Sequence, residues 1–188
     1  MTTGAQDRRA RARRLLLDHV CSGALERRAV RDTLALLEAP SDPFSRATLP
    51  GHVTGSAIVL DDTRERVLVV WHAALQRWLQ PGGHSEPDDD SPLATAAREL
   101  AEETGVTRDA VTANGRFVHL DVHAIPARFA EPMHFHHDFR FAFTMTSLAA
   151  SSRVPNSAVA WIGINALESS GADASLCAGV ASALCERP

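Results

Sequence analysis

The sequence contains no lysine and no tyrosine; all of its 19 basic residues are arginine. Biased codon usage is enough to account for that pattern. Cysteine is scarce: Cys21, Cys177 and Cys185 have no metal-ligand spacing. Cys177 and Cys185 fall eight apart in a predicted helix, roughly 12 Å along its axis, too far for a disulfide. A reduced, cytoplasmic protein is the expectation. No apolar run approaches the length of a membrane span, and the N-terminus carries no signal-peptide core, so no membrane partner is expected. There is no excess of positive charge either. A net charge of −4 argues against a bulk nucleic-acid binder. What is present, 188 residues with 45% apolar and 22% charged, suits one domain with a small appendage.

The pattern along the chain changes near residue 45. Before it, "RRARARRLLLDHV" and "LERRAVRDTLALLEA" carry apolar residues at helical spacing, separated by Cys21-Ser22-Gly23. "PSDPFSRATLPG" breaks the helices with three prolines. Residues 1–45 are therefore expected to be a helical appendage and linker, and 46–188 the main domain. "HVTGSAIVL" and "RVLVVWH" read as strands joined by a turn at 61–65. "GRFVHLDVHAI", "MHFHHDFRFAFTM" and "AVAWIGINAL" read as further strands, and "DASLCAGVASALCER" as a closing helix. Strands interspersed with few helices predict an α/β or α+β sandwich.

The segment "GGHSEPDDDSPLATAARELAEETGV", Gly82 to Val106, holds the chemistry. Ser91-Pro92 starts a helix and Gly105 stops it. Leu93, Ala97, Leu100 and Thr104 form a stripe that should face the core. Glu99, Glu102 and Glu103 fall on the other side, within roughly 100° of one another. Like charges at this spacing repel, and acidic residues near a helix C-terminus oppose its macrodipole. A hard divalent cation resolves both conflicts, because Mg²⁺ favours oxygen ligands. The plain alternative is a solvated acidic helix end.

The neighbours of these glutamates sharpen the reading. Arg98-Glu99-Leu100-Ala101-Glu102-Glu103-Thr104-Gly105-Val106 resembles the second half of the Nudix hydrolase signature at every defined position, and "WLQPGGH" resembles its usual lead-in. The first half departs: the loop has one extra residue, and either Asp89 or Asp90 stands where the signature has Glu. The resemblance implies a Nudix α/β/α sandwich with a mixed β-sheet. It implies a Mg²⁺- or Mn²⁺-dependent pyrophosphohydrolase, cleaving the pyrophosphate bond of a nucleoside diphosphate linked to another group by metal-activated water. Carried onto this chain, Glu99, Glu102, Glu103 and the Gly82 carbonyl are the implied metal ligands. Arg98 is expected to hold the carboxylates, and the general base stays open between Glu99 and Glu102. The partner is a small nucleotide. A homodimer is compatible with the sequence. The alternative from another class is a non-catalytic nucleotide-binding sensor, which has no need of the complete acidic set.

Two strands carry an unusual histidine content. His119, Asp121 and His123 alternate onto one face of the first; His134, His136, Asp138 and Arg140 do so on the second. The two are expected to pair antiparallel with these faces together. A wet sheet face is one reading. The expectation preferred here is a pocket wall in which His136 and Arg140 bind substrate, with Arg140 on phosphate; a zinc site is the rival. Trp78 is placed to stack on a base, or to fill the core. Arg8, Arg9, Arg11, Arg13 and Arg14 read as a solvated basic face rather than an RNA contact. His19, His52 and His72 read as ordinary structural histidines.

Overall fold

Alternating apolar residues fold into a mixed seven-stranded sheet between helices, the α/β/α sandwich expected from the sequence. The structure, a computed structural model, describes residues 3–111, 115–128, 131–145 and 158–185. In chain order the strands are β1 (Gly51–Asp61), β2 (Arg66–His72), β3 (Arg77–Leu79), β4 (Gly82–His84), β5 (Arg116–Ile125), β6 (His134–Met145) and β7 (Val159–Gly163). The helices are α1 (Thr3–Asp18), α2 (Ala24–Glu38), α3 (Pro92–Thr104) and α4 (Ala174–Leu184). The sheet runs β3-β2-β1-β6-β5, with β4 added to β1 and β7 to β2. The β1–β6 pairing is parallel and the others are antiparallel.

Odd-numbered β1 residues and even-numbered ones enter different layers, as strand alternation requires. Val53, Ala57 and Val59 join Phe139, Phe141 and Phe143 of β6 in one core, under α1, α2 and α3. Ile58 and Leu60 join Val67 and Val69 of β2 in a second core, under Leu176, Val180 and Ala183 of α4. Burying each large apolar side chain contributes roughly 1.5–3 kcal/mol. Ala12 and Leu16 of α1 and Ala29 and Leu37 of α2 belong to the first core, so the N-terminal helices share it with the strands.

Glu26 fastens α2 to the edge strand. Its carboxylate accepts from the Leu120 N–H at 3.1 Å and the Ser22 hydroxyl at 2.8 Å, and meets His19 and His119. The arginines of α1 are only in part the solvated basic face read from the sequence: Arg11, Arg13 and Arg14 are exposed, whereas Arg8 and Arg9 are drawn into the fold. Arg8 is buried over the Phe44 ring at 4.2 Å. Arg9 donates to the Leu37, Ala39 and Ser41 carbonyls, Arg11 pairs with Asp90, and Arg14 with Asp18.

Two elements differ from the sequence reading. The strand expected over 158–167 ends at Gly163, and residues 164–166 and 168–170 form short 3₁₀ turns. The closing helix ends at Leu184; the last residues expected in it, from 186 on, lie outside the described residues. The segment read as a glycine loop contains β3 and β4, each three residues long. The three cysteines are unbridged.

Candidate active site

The helix α3 begins and ends where its sequence says. The Ser91 hydroxyl accepts from the Ala94 N–H, Pro92 takes the first helical position, and Gly105 closes the helix at φ 72°. Leu100 and Thr104 are buried, and Leu93 and Ala97 pack partly against the first core. The helix lies so close to β1 that a Cβ at Gly55 would sit 2.5 Å from the Pro92 carbonyl oxygen. This contact fixes the height of α3 over the sheet.

Glu99 and Glu103 do not point freely into solvent. They lean onto β4, where the sequence offers two glycines. A Cβ at Gly83 would lie 2.5 Å from Glu99 Oε1, so only glycine leaves that carboxylate its place. The Gly82 N–H donates to Glu103 Oε2 at 3.1 Å. Desolvation pushes the Glu103 carboxyl up to about 7, outweighing that hydrogen bond, and repulsion from Glu99 and Glu102 adds to the rise. Desolvation also raises Glu99, against the pull of Arg98.

Arg98 ties the group together. Its Nη1 donates to Glu99 Oε1 at 3.0 Å and to Glu102 Oε2 at 2.9 Å. Its Nη2 donates to the His84 carbonyl at 2.7 Å and to Asp89 Oδ2 at 3.0 Å. Asp89 also accepts from the Glu86 N–H at 2.9 Å and is 6% exposed. Burial opposes the charge on Asp89, but Arg98 and the Glu86 N–H outweigh it and hold its carboxyl below the usual range. Asp90 sits on the surface with Arg11 and Ser91. Of the two aspartates left open by the lengthened loop, Asp89 is therefore the one built into the site.

The histidine strands pair as expected: His119 with Arg140, Asp121 with Asp138, and His123 with His136, antiparallel and on one face. What covers that face differs from expectation. Arg140 is 1% exposed and its guanidinium makes four hydrogen bonds within the protein. Nε donates to Asp138 Oδ2 at 2.9 Å, Nη2 to the Ser175 hydroxyl at 2.6 Å and to Asp121 Oδ2 at 3.3 Å, and Nη1 to the Ser175 carbonyl. Asp138 accepts in addition from Ser56 at 2.8 Å and Thr54 at 3.1 Å. The placement of Arg140 on a substrate phosphate is corrected here: α4 lies over it, and no donor of its fork faces solvent. Trp78 is half-buried edge-on to Trp71, ring centroids 5.2 Å apart, and packs on the second core. Packing accounts for its position without a ligand.

His136 lies beyond the N-terminus of α4, with His52 of β1 and His84 of β4 around it. Sequence reasoning passed over these two. His52 is 1% exposed, and its ring centroid is 5.0 Å from that of His136 and 5.1 Å from that of His84. Desolvation and neighbouring imidazoles bring His136 down to about 3 and His84 to about 4, so both rings are neutral at ordinary pH. His137 faces the other way and meets the Thr33 hydroxyl of α2 at 2.7 Å. A cavity of about 790 Å³ opens between α2, β5 and α4, lined by Ala29, Asp32, Asp121, His137 and Ser175 among others. It includes none of the α3 carboxylates, so it is not the place of their chemistry.

A mixed sheet between helical layers, with an arginine-braced acidic helix on paired glycines, defines the class: an α/β/α sandwich of the Nudix type. The chain itself belongs to the Nudix hydrolase family, since a family model described as NUDIX domain matches residues 51–175. No curated protein matches the chain. Its fold is similar to that of the NUDIX domain of Shewanella oneidensis NrtR, solved with ADP ribose (21% identity over 81% of this chain and 95% of that one, TM-score 0.54). It is also similar to a C. elegans Ap4A hydrolase, solved as a binary complex (13% identity, 69% and 93% covered, TM-score 0.53). A third likeness is the M. smegmatis Nudix hydrolase RenU (14% identity, 70% and 83% covered, TM-score 0.52). No helix among the described residues is long and apolar enough to cross a membrane.

Proposed function

We propose that the chain is a pyrophosphohydrolase of small nucleotides, cleaving the anhydride of a nucleoside diphosphate linked to another group with a divalent cation and water. The observation that carries the reading is the pair Glu99 and Glu103, half-buried side by side on the side-chain-free backbone of Gly82 and Gly83. Carboxylates placed together and partly out of water, Glu99 bonded to Arg98 and Glu103 to the Gly82 N–H, are a donor set suited to Mg²⁺ or Mn²⁺. Glu99, Glu102, Glu103 and the Gly82 carbonyl would hold the ion. When bound, it supplies charge relief at phosphorus and acidifies a coordinated water.

The rest falls to this chain's own residues. Arg98 positions Glu99 and Glu102, and Asp89 with the His84 carbonyl fixes Arg98 in turn. Either Glu99 or Glu102 would take the proton of the attacking water. Trp78 remains as a candidate substrate contact; Arg140 does not.

A screen of dinucleoside polyphosphates, nucleoside diphosphate sugars, ADP-ribose and nucleoside triphosphates with Mg²⁺ and Mn²⁺ tests the proposal. Turnover of at least one substrate class is expected, with Glu103→Gln reducing it by roughly 100-fold or more, the scale for removing a preorganised electrostatic group. Binding without hydrolysis of any of them favours the sensor reading. Wild-type turnover by a folded Glu103→Gln variant overturns the metal-ligand assignment.

A further inference from the structure

Three strands bring three imidazoles together on the face of the sheet opposite α3. The β1–β6 register sets His52 directly beside His136, and β4 sets His84 across from Thr54, one alternation along from His52. One ring nitrogen from each of the three lies within 4.8 Å of the others. A fourth ring borders the group: His134 Nε2 is 3.3 Å from His136 Nε2.

The hydrogen bonds show where the lone pairs are. His52 Nδ1 faces the Thr48 carbonyl at 3.3 Å and must donate to it. Its Nε2 then carries a lone pair, and that atom is buried without any hydrogen-bond partner. An orphaned buried acceptor costs about 1–3 kcal/mol, and a side chain only 1% exposed cannot turn to water to recover it. His134 repeats the arrangement: Nδ1 donates to the Pro132 carbonyl at 2.9 Å, which leaves Nε2 as an acceptor. A ring nitrogen held by a main-chain carbonyl while its partner nitrogen faces a cluster is the outer-shell pattern of metal-bound histidine.

We propose that His52, His84 and His136 hold one transition-metal ion of the zinc class, with His134 in reach of the fourth position. Imidazole nitrogens suit zinc, whereas Mg²⁺ takes oxygen, so this site is chemically separate from the α3 carboxylates. Zinc sits about 2.0–2.1 Å from each nitrogen, which at tetrahedral angles puts neighbouring nitrogens about 3.3 Å apart. The His134–His136 separation already has that value; the other pairs need only contract from within 4.8 Å. When His136 binds through Nε2, the proton it shares with His134 moves to its own Nδ1, and the ring stays neutral. The ion joins β1, β4 and β6. Since β4 is held to β1 by three residue pairs and carries Gly82 and Gly83, the ion is a clamp beneath the active-site backbone. The neutral rings and the burial of His52 leave little for solvation or for contact with a soluble ligand to explain.

Untagged protein, purified without added metal and analysed by elemental mass spectrometry, is expected to carry close to one zinc per chain. After chelation, the same protein should take up one Co²⁺ with the visible absorption of a tetrahedral nitrogen-rich site. A His84→Ala, His136→Ala double variant, checked for fold by circular dichroism, should lose both signals, while Glu103→Gln should keep them. Wild-type protein with no zinc that also fails to bind cobalt overturns the proposal, whatever the variants do. So does a double variant that retains stoichiometric metal, or a Glu103→Gln variant that loses it.

Discussion

Replacing Arg140 by Met separates a structural arginine from a substrate-binding one. The side chains match in reach, but methionine has neither charge nor donors. In the folded protein Arg140 neutralises Asp138 and Asp121, which are otherwise served by uncharged donors and by His123. Burial works against the charge of Asp138, and Arg140 is first among the groups that overcome it and hold its carboxyl below the usual range. Removing one partner of a buried pair leaves the other charge uncompensated and costs about 3–5 kcal/mol. For a chain of this size that is a fall in Tm of roughly 6–20 °C. Urea unfolding of wild type, Arg140→Met, Asp138→Asn and the double variant forms a cycle. The two single losses should be large and the double loss much smaller than their sum, since the orphaned charge disappears. With any nucleotide that is turned over, KM of the Arg140→Met protein should stay within about 2-fold of wild type, because no uniform binding contact has been removed. Stability within about 0.5 kcal/mol of wild type, the range of an ordinary surface change, together with a raised KM, would refute the argument and return Arg140 to the substrate.

Two further predictions concern α3. Because the folded Glu103 carboxyl stands at about 7 against an ordinary 4.5, the native state binds this proton more tightly than the unfolded state does, and stability falls as pH rises between those values. The cost at neutrality is at most about 3 kcal/mol, so in EDTA Glu103→Gln should be the more stable protein near pH 8 and approach wild type near pH 4, below the unfolded value; Mn²⁺ should reverse the order near pH 8, and a wild type that is the more stable one in EDTA near pH 8 would contradict the burial argument. Asp89→Asn should lower turnover by roughly 10–100-fold, the usual effect of loosening an outer-shell partner, while Asp90→Asn should leave it unchanged; equal effects from the two variants would mean that Arg98 is not positioned through Asp89.

The helix α3 was legible because its determinants are local. Ser91, Pro92 and Gly105 mark its ends, and the spacing of Leu100, Thr104, Glu99 and Glu103 fixes its faces within a few residues. The alternation of β5 and β6 was legible for the same reason. The choice between Asp89 and Asp90 was not, because it depends on Arg11, which reaches Asp90 from α1, 79 residues away. His52 was equally hidden. Only the parallel β1–β6 register, joining strands 84 residues apart at Thr54 and Asp138, puts it beside His136.

The polar face shows how one sequence pattern becomes two kinds of site. His119, Asp121, Asp138 and Arg140 alternate in the same way as His123, His134 and His136, and nothing in the strands themselves distinguishes them. The difference comes from α4. Its residues Ser182 and Ser175 lie over His119, Asp121 and Arg140, and a Cβ at Gly179 would approach Arg140 Nη1 to 3.2 Å. Under that cover charges must pair, and Arg140 with its two aspartates does so. The helix starts at Ala174, capped by Asp173, and ends its cover of the face there. There the face is filled by rings from β1, β4 and β6 that pack on one another while keeping lone pairs at His52 and His134. Arg140 of β6 and His52 of β1 thus meet opposite demands on one face: the first is sealed by protein, and the Nε2 of the second is left without a partner.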